Sequence, residues 1–336
     1  MSNTKIRLPS KNEIPVLKQI WISGFGDDPC ISIFFDHFFS PELCIAAYVN
    51  NSPVGAGYLI PLGDLVYGNQ RSPCAYIYAV AVLENHRGLG FGRIIVNELI
   101  NMGYNAGYPS IALCPANDTL FEYYSAHTKL QEWFYFHETT LLNTILTSSS
   151  QYQTRFSSTS SPSLSSCLSF STYSSSYARL SEIAAEDYVE LRSRFLTKTP
   201  HIEHNLRAIE YQQLMCSCYG GGLFRIELGG EEYCAVIELH ENMQTVIKEL
   251  LAPVEVHSSI LAAISAYYPS LTITARTPLL NSEEKSGRQR FGMLTVLDEF
   301  SSQAKISHSP PAIMSAMYNN SSNSISPAPW FGLAFD

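Results

Sequence analysis

The residues best suited to chemistry lie in one glycine-rich stretch in the first half of the chain. Gly88, Gly90 and Gly92 alternate with other residues directly after Arg87. Glycines at this spacing favour a tight bend whose backbone amides stay exposed, and exposed amides beside a cation bind anions. The stretch therefore predicts a binding site for a phosphate or diphosphate group.

The residues on either side of this stretch indicate the strand and the helix that would position it. Residues 75–83 form a short apolar run rich in aromatic and branched side chains, which is typical of a strand buried on both faces. Residues 91–102 place apolar side chains at helical spacing, with polar ones between them, as in an amphipathic helix. The exposed amides would then lie at a helix N-terminus, where the helix dipole also favours an anion.

Two common phosphate-binding motifs do not fit the stretch. A P-loop needs a lysine followed by serine or threonine after its last glycine, whereas Arg93 and Ile94 follow here. A dinucleotide fingerprint needs GxGxxG directly after the strand, whereas the spacing here is GxGxG and residues 84–87 intervene. A plain turn between strand and helix stays open, because glycine also serves turns.

The strand, the bend ENHRGLGFG and the helix together resemble the signature of the GCN5-related N-acetyltransferases, the GNAT superfamily. In that family an Arg/Gln-x-x-Gly-x-Gly/Ala loop holds the diphosphate of acetyl-coenzyme A (acetyl-CoA). The resemblance covers residues 1–146, in the order strand, two helices, three strands, helix, strand, helix, strand. It implies the α/β acyl-CoA N-acyltransferase fold, with a mixed central sheet flanked by helices, and acetyl transfer to an amine.

The resemblance also implies which residues would bind acetyl-CoA. The backbone of Val80, Ala81 and Val82 would pair with the pantetheine arm as an added strand, and one of these amides would face the developing oxyanion. Arg87 and the helix dipole would neutralise the diphosphate. The other implied cofactor-binding positions are Gly88, Leu89, Gly90, Phe91, Gly92, Arg93 and Asn117.

Two residues are implied to move protons during acetyl transfer. Tyr124, in the segment LFEYY, matches the family's tyrosine that points at the sulfur, and it would be the general acid for the departing thiolate. Tyr123 stays open as an alternative acid, because HTKL follows where the family usually has a Gly-Phe pair. Simple packing in the helix also stays open for Tyr124. Glu84, at the end of the central strand, is the candidate general base, with capping of the bend as its alternative role.

The acceptor side of the site depends on an acidic pair. Asp27 and Asp28 lie in the loop between the first two predicted helices, which would border the acceptor cleft in this fold. They would bind a cationic amine, and helix capping is their alternative role, as it is for Asn117. The acceptor would be a small-molecule or peptide amine, and the sequence does not separate these classes.

The chain of 336 residues is long for one domain, and its composition changes abruptly near the middle. Residues 147–176 are dominated by serine, as in a connecting segment. Residues 177–336 repeat the predicted order of two helices, three strands, a helix and a strand, which indicates a second, degenerate copy of the GNAT fold. Residues 252–255, at its strand-to-helix junction, contain neither glycine nor arginine, so we expect one active site, in a catalytic domain of residues 1–146.

The closing part of the chain contains two more predicted strands. Residues 290–294 and 329–336 would complete the second copy, separated by a polar loop. Tandem active and inactive acetyltransferase folds occur in the superfamily, among them the enhanced-intracellular-survival acetyltransferases, whose C-terminal carboxylate reaches the active site. The same role for Asp336 stays open beside simple burial of the last strand.

Composition limits the class of partner. The formal net charge of -9 argues against a nucleic-acid binder. No apolar stretch reaches membrane-spanning length and the N-terminus lacks a signal core, so we expect a cytoplasmic protein that does not bind membranes. The eight cysteines include no Cys-x-x-Cys pair, and no metal is expected.

Two other functions stay open at this point. One is a non-catalytic module that binds or senses acyl-CoA without turnover, and the other is a protein that binds the diphosphate of a different nucleotide. A homo-oligomer is equally compatible with the sequence.

Overall fold

A computed structural model of the chain describes residues 3–26, 30–142, 178–279, 288–297 and 329–333. Across these ranges, thirteen strands form one continuous mixed sheet. The serine-rich segment and the last residue, for which roles were considered above, lie outside the described residues.

The first half of the chain follows the predicted order of elements. Its strands are β1 (Thr4–Arg7), β2 (Cys44–Val49), β3 (Ser52–Tyr67), β4 (Gln70–Val82), β5 (Ser110–Leu113) and β6 (Gln131–Leu142). Its helices are α1 (Ile14–Phe25), α2 (Cys30–Ile33), α3 (Phe91–Asn105) and α4 (Asp118–His127). Ser10 and Glu13 form a capping box ahead of α1. β4 begins at Gln70, earlier than the predicted residue 75, and meets β3 in a hairpin at Gly68, because the ends of the two strands pair with each other.

The second half repeats this order. Its strands are β7 (Arg179–Glu182), β8 (His201–His204), β9 (Gly222–Leu228), β10 (Glu231–His240), β11 (Gln244–Leu251), β12 (Thr272–Thr277) and β13 (Arg288–Val296). Its helices are α5 (Ala185–Leu196), α6 (Leu206–Cys218) and α7 (His257–Tyr267). β8 was not predicted; it is only four residues long and pairs with β3 of the first half.

The sheet contains the same topology twice. β1 to β5 are neighbours in chain order, and β7, β9, β10, β11 and β12 are neighbours in the corresponding order. The pairs β4/β5 and β11/β12 are parallel, whereas the other strand pairs are antiparallel. This is the predicted mixed sheet with flanking helices, present in two tandem copies.

The last strand of each half is exchanged between the copies. β13 inserts beside β5, with Met293 opposite Leu113, and its other edge pairs with β6. β6 in turn pairs with β12, with His137 opposite Thr277. The prediction that residues 290–294 complete the second copy is therefore wrong: β13 completes the sheet of the first copy. The alternation of apolar residues identifies a strand but not the strand with which it pairs.

Helices cover both faces of the sheet. On one face, α1, α2, α5 and α6 pack around a single apolar core that continues from the first half into the second. On the other face, α3 and α4 cover the first half and α7 covers the second. α3 lies so close to β3 that a Cβ on Gly57 would be 2.9 Å from both Ile95 and Leu99. This close packing sets the position of the α3 N-terminus relative to the sheet.

A buried carboxylate fixes the C-terminal segment between the two halves. Glu249 of β11 is fully buried and accepts hydrogen bonds from Trp330 Nε1 at 2.7 Å and from the Tyr188 hydroxyl at 2.6 Å. Arg192 donates to both oxygens of the same carboxylate, with Nε–O distances of 3.0 and 3.2 Å. Where the sequence predicted a strand, Trp330 forms a single bridge with His201. The segment is therefore held both by the side-chain bond of Trp330 and by backbone hydrogen bonds of Trp330 with Pro200 and Ile202.

Replacing Glu249 with alanine leaves the buried charge of Arg192 without its carboxylate, so we expect the free energy of unfolding to fall by about 3–5 kcal/mol. Glu227→Ala is the matched control, because Glu227 forms an exposed ion pair with Arg179 at 3.9 Å, and loss of such a pair costs at most about 1 kcal/mol. Urea denaturation of the two variants measures the difference. Equal losses of stability would contradict a central role for this carboxylate.

Candidate active site

The glycine bend lies between β4 and α3, as predicted. Gly88 and Gly90 have φ angles of 76° and 83°, in the left-handed region that favours glycine, and Gly90 caps α3. The amides of residues 88–93 donate no hydrogen bond to any described part of the chain. Leu89 at the tip of the bend is 66% exposed. The bend thus presents backbone donors to solvent at the positive end of the α3 dipole.

Arg87 connects this bend to the neighbouring elements. Its Nε donates to the carbonyl of Val82 at 3.0 Å, and its Nη2 donates to the carbonyl of Ser23 in α1 at 3.3 Å. The side chain nevertheless remains exposed. A positive charge is therefore held in place next to the amides of the bend.

β4 and β5 diverge beside the bend. Their parallel pairing ends at Ile77 and Leu113, whereas β4 continues to Val82. Ala79 has a φ angle of 47° and lies where the register of β4 shifts against β3, which marks a β-bulge that redirects the strand. The predicted cofactor-binding strand residues Val80, Ala81 and Val82 follow this bulge along the edge that β5 leaves uncovered.

The gap between the two strands opens into a cavity of about 560 Å³. Its walls include Trp21 of α1, Ala79 of β4 and Asn117 at the start of α4. Met215 of α6 and Phe291 of β13 also line it, although both belong to the second half of the chain. The cavity is therefore built by both copies of the fold.

Asn117 caps α4 and also lines the cavity, whereas its contact with the pantetheine arm stays a prediction. Its side-chain oxygen accepts a hydrogen bond from the Leu120 amide at 3.1 Å, which makes it the N-cap of α4. The same residue lines the cavity next to the end of β5. The cap fixes the first turn of α4 against the cavity wall.

Tyr124 lies on α4 and is 8% exposed, within the apolar core beneath α3. Burial raises the pKa of Tyr124 to about 12, with a smaller contribution from Tyr123. Its phenol therefore keeps its proton throughout the neutral range. Tyr123 stacks on His127, and its hydroxyl is 3.6 Å from where a Cβ on Gly92 would lie. Tyr123 thus lies beside the glycine bend, and the ring of Tyr124 packs against it with 5.3 Å between the ring centroids; neither tyrosine belongs to the cavity wall.

The remaining predicted residues lie further from the cavity or outside the described ranges. Glu84 is exposed in a single turn of 3₁₀ helix between β4 and the bend, and it does not belong to the cavity wall. Asp27 and Asp28 fall outside the described residues. Phe25, which precedes this pair in the chain, and Cys30, which follows it, both line the cavity.

Sequence reasoning missed the contributions of the second half. Arg290 of β13 lines the cavity and pairs with Asp118 at 2.8 Å, Glu122 at 2.8 Å and Glu132 at 3.4 Å. Arg276 of β12 lies in the same wall. No local signal identifies these residues, because their position depends on which strands exchange partners.

In the ranges that the structure describes, no group of three or more histidine, cysteine, aspartate or glutamate side chains is arranged to hold a metal ion. Within the same ranges, none of the helices has the length and apolar character needed to cross a membrane.

Comparison with known proteins identifies the part of the chain that carries the bend. Residues 15–127 match the model of the acetyltransferase (GNAT) family. This segment belongs to the GNAT acetyltransferases. It contains α1 to α4, the glycine bend of the GNAT signature and both tyrosines on α4. A search of the curated proteins finds no match for the chain.

Solved structures show that the GNAT likeness of the fold extends beyond the matched segment. A GCN5-related N-acetyltransferase from Kribbella flavida is 14% identical, with a TM-score of 0.57 over 88% of this chain and 71% of that one. A second, from Anabaena variabilis, is 13% identical, with a TM-score of 0.58 over 88% and 73%. Eis1 from Mycobacterium abscessus is 12% identical, with a TM-score of 0.57 over 88% and 74%. At these identities the comparison shows a shared fold.

Proposed function

We propose that the protein is an acetyl-CoA-dependent N-acetyltransferase that acetylates a primary amine of a small molecule or peptide. The observation that carries the proposal is what lies on either side of the segment of residues 80–82. The free amides of residues 88–93 follow this segment in the chain, and Ala79, directly before it, lines the 560 Å³ cavity. A long ligand with an anionic end would therefore place its other end in the cavity.

The glycine bend suits the diphosphate of acetyl-CoA. A Cβ on Gly88 would meet no atom within 4 Å, so the space beside the bend is open to a ligand. Phe91, the first residue of α3, is buried and anchors the first turn of the helix. Leu89 and Arg93, two residues before and after it, are exposed. In the proposal the diphosphate is bound by Arg87 and by the backbone of residues 88–93.

The uncovered edge of β4 suits the pantetheine arm. The backbone of Val80, Ala81 and Val82 would bind an extended ligand as an additional strand, with Asn117 on the opposite side of the gap. When bound, acetyl-CoA supplies an activated acyl thioester. An amide of this edge would donate to the thioester oxygen, where negative charge develops during transfer.

Tyr124 is the proposed general acid. Because burial keeps its phenol protonated, it has a proton to donate to the leaving thiolate at neutral pH. Glu84 is the proposed base and would accept a proton from the acceptor ammonium through water, since it is exposed and outside the cavity wall. Asp27 and Asp28 remain proposed contacts of the amine.

We propose that residues 1–146 carry catalysis, that residues 147–176 connect the halves, and that residues 177–336 are non-catalytic. Glu249 supports this division. It lies two residues beyond the last parallel β11/β12 pair, as Ala79 lies two residues beyond the last β4/β5 pair. In the second copy Glu249 at this position is fully buried and hydrogen-bonded to Arg192 and Trp330, whereas Ala79 in the first copy lines an open cavity.

A substitution at the tip of the bend tests the diphosphate site. In Leu89→Glu, a carboxylate beside the bend repels the diphosphate by about 1–2 kcal/mol, so we expect the Kd for acetyl-CoA to rise roughly tenfold. Leu89→Gln is the matched control, with the same shape and no charge. Isothermal titration calorimetry measures both values. An unchanged Kd in the glutamate variant would place the diphosphate elsewhere.

Removal of the Tyr124 hydroxyl tests the proposed acid. We expect Tyr124→Phe to lower kcat by about 100-fold, the usual effect of losing a general acid, and to leave the Kd for acetyl-CoA unchanged. Thiol release with a panel of primary amines measures kcat. Because the phenol pKa is near 12, no loss of activity from its ionisation is expected between pH 7 and 10.

The same assay separates the proposal from its main rival. Acetyl-CoA binding without amine-dependent thiol release, for every amine in the panel, would indicate a non-catalytic acyl-CoA sensor. Unimpaired turnover in Tyr124→Phe would move the acid role to another group, with Tyr123 as the next variant to test.

A further inference from the structure

Aromatic rings form much of the cavity wall. They come from both halves of the chain and include Trp21, Phe25, Tyr76, Tyr78, Phe136 and Phe291. Flat apolar rings pack well against such a wall through edge and offset contacts. Aromatic faces also attract cations, so the wall alone is compatible with either a ring or a chain of positive charges on the acceptor.

The charged side chains of the wall decide between these alternatives. Asp118 is the acidic residue among the described wall residues, and Arg290 donates to its carboxylate at 2.8 Å. A polyamine would therefore have to compete with an arginine already paired to this carboxylate. The wall favours an acceptor with a single amino group.

The arginines of the wall also face carboxylates from outside the cavity. Glu122 and Glu132 both pair with Arg290, and Glu138 lies 3.9 Å from Arg276. The guanidinium of Arg276 is further held over the ring of Phe136, at 5.4 Å from its centroid. Both arginines of the wall therefore already face carboxylates, so a carboxylate on the acceptor would have to compete with these existing partners. The wall thus disfavours amino acids as well as polyamines.

Met215 of α6 and Tyr219, the C-cap residue of this helix, line the aromatic part of the cavity. This helix is fixed against the first half of the chain. Arg207 donates to the carbonyl of His37 at 3.0 Å, and the ring of Tyr211 packs 4.2 Å from the ring of Phe38. The helix of the second copy can therefore act as a fixed wall for an acceptor bound beside α1.

We propose that the acceptor is a primary amine that carries an aromatic ring and no carboxylate, and that its ring binds between α1, β13 and Met215 of α6. This inference rests on the proposed acetyltransferase function and specifies its substrate class. It also gives the non-catalytic copy a defined part in substrate selection.

A three-member panel tests the substrate class with the full chain and acetyl-CoA. 2-Phenylethylamine carries the ring and one amine, phenylalanine adds the carboxylate, and spermidine replaces the ring with further charges. We expect kcat/KM for 2-phenylethylamine to exceed both others by about tenfold or more, because only this acceptor matches the wall in shape and charge. An equal or higher value for phenylalanine or spermidine overturns the inference while leaving acetyl transfer intact.

A substitution in α6 tests where the ring binds. Met215→Trp places a larger ring in the cavity, so we expect KM for 2-phenylethylamine to rise about fivefold or more, with KM for acetyl-CoA changed by less than about twofold. Leu214→Trp is the matched control, because Leu214 is 40% exposed on the same helix and should alter neither value.

The outcomes of these assays distinguish the two proposals. An unchanged KM for 2-phenylethylamine in Met215→Trp, with normal KM for acetyl-CoA, overturns the placement of the ring. A variant that has lost its fold is recognised by a changed KM for acetyl-CoA and a lowered Tm, and Met215→Phe then serves as the milder substitution. Absence of thiol release with this panel and with peptide amines overturns acetyl transfer itself, and the inference with it.

Discussion

The divergence of β4 from β5 is the constraint on which the rest of the structure depends. Parallel strands that separate leave backbone groups of both strands without partners, and these groups must be covered by protein or by a ligand. Both copies contain this divergence, between β4 and β5 and between β11 and β12. The copies differ in the residue that follows the last parallel pair by two positions. In the second copy this position holds Glu249, which is fully buried and hydrogen-bonded to Arg192 and Trp330. In the first copy it holds Ala79, which lines the open cavity.

Strand exchange makes the two copies dependent on each other. β13 covers the free edge of β5, and β6 lies between β13 and β12, so neither sheet is complete without a strand from the other half. The same exchange brings Arg290 and Phe291 into the cavity. The second copy therefore supplies part of the cavity wall of the first, and under the proposed function this contribution explains why a copy that does not catalyse is retained.

Local patterns predicted the elements that carry the chemistry. The strand, glycine bend and helix around residues 88–93 and the cap at Asn117 follow from nearby sequence, and the structure contains both. Non-local pairing could not be predicted in the same way. The short β8 strand, the partners of β13 and the contribution of Met215 to the cavity all depend on contacts between residues far apart in the chain. Such contacts leave no periodic signal, because many strands would satisfy the same edge.

Thiol labelling tests most directly whether acetyl-CoA runs from the bend into the gap. Cys114 directly follows β5 at the cavity wall and is half-buried, whereas Cys218 is exposed at the end of α6 and serves as an internal control. Alkylation of each thiol is followed by mass spectrometry with and without acetyl-CoA. At about ten times its Kd, bound acetyl-CoA should slow labelling of Cys114 roughly tenfold by mass action and leave Cys218 unchanged. Equal labelling of Cys114 with and without saturating acetyl-CoA would contradict the account.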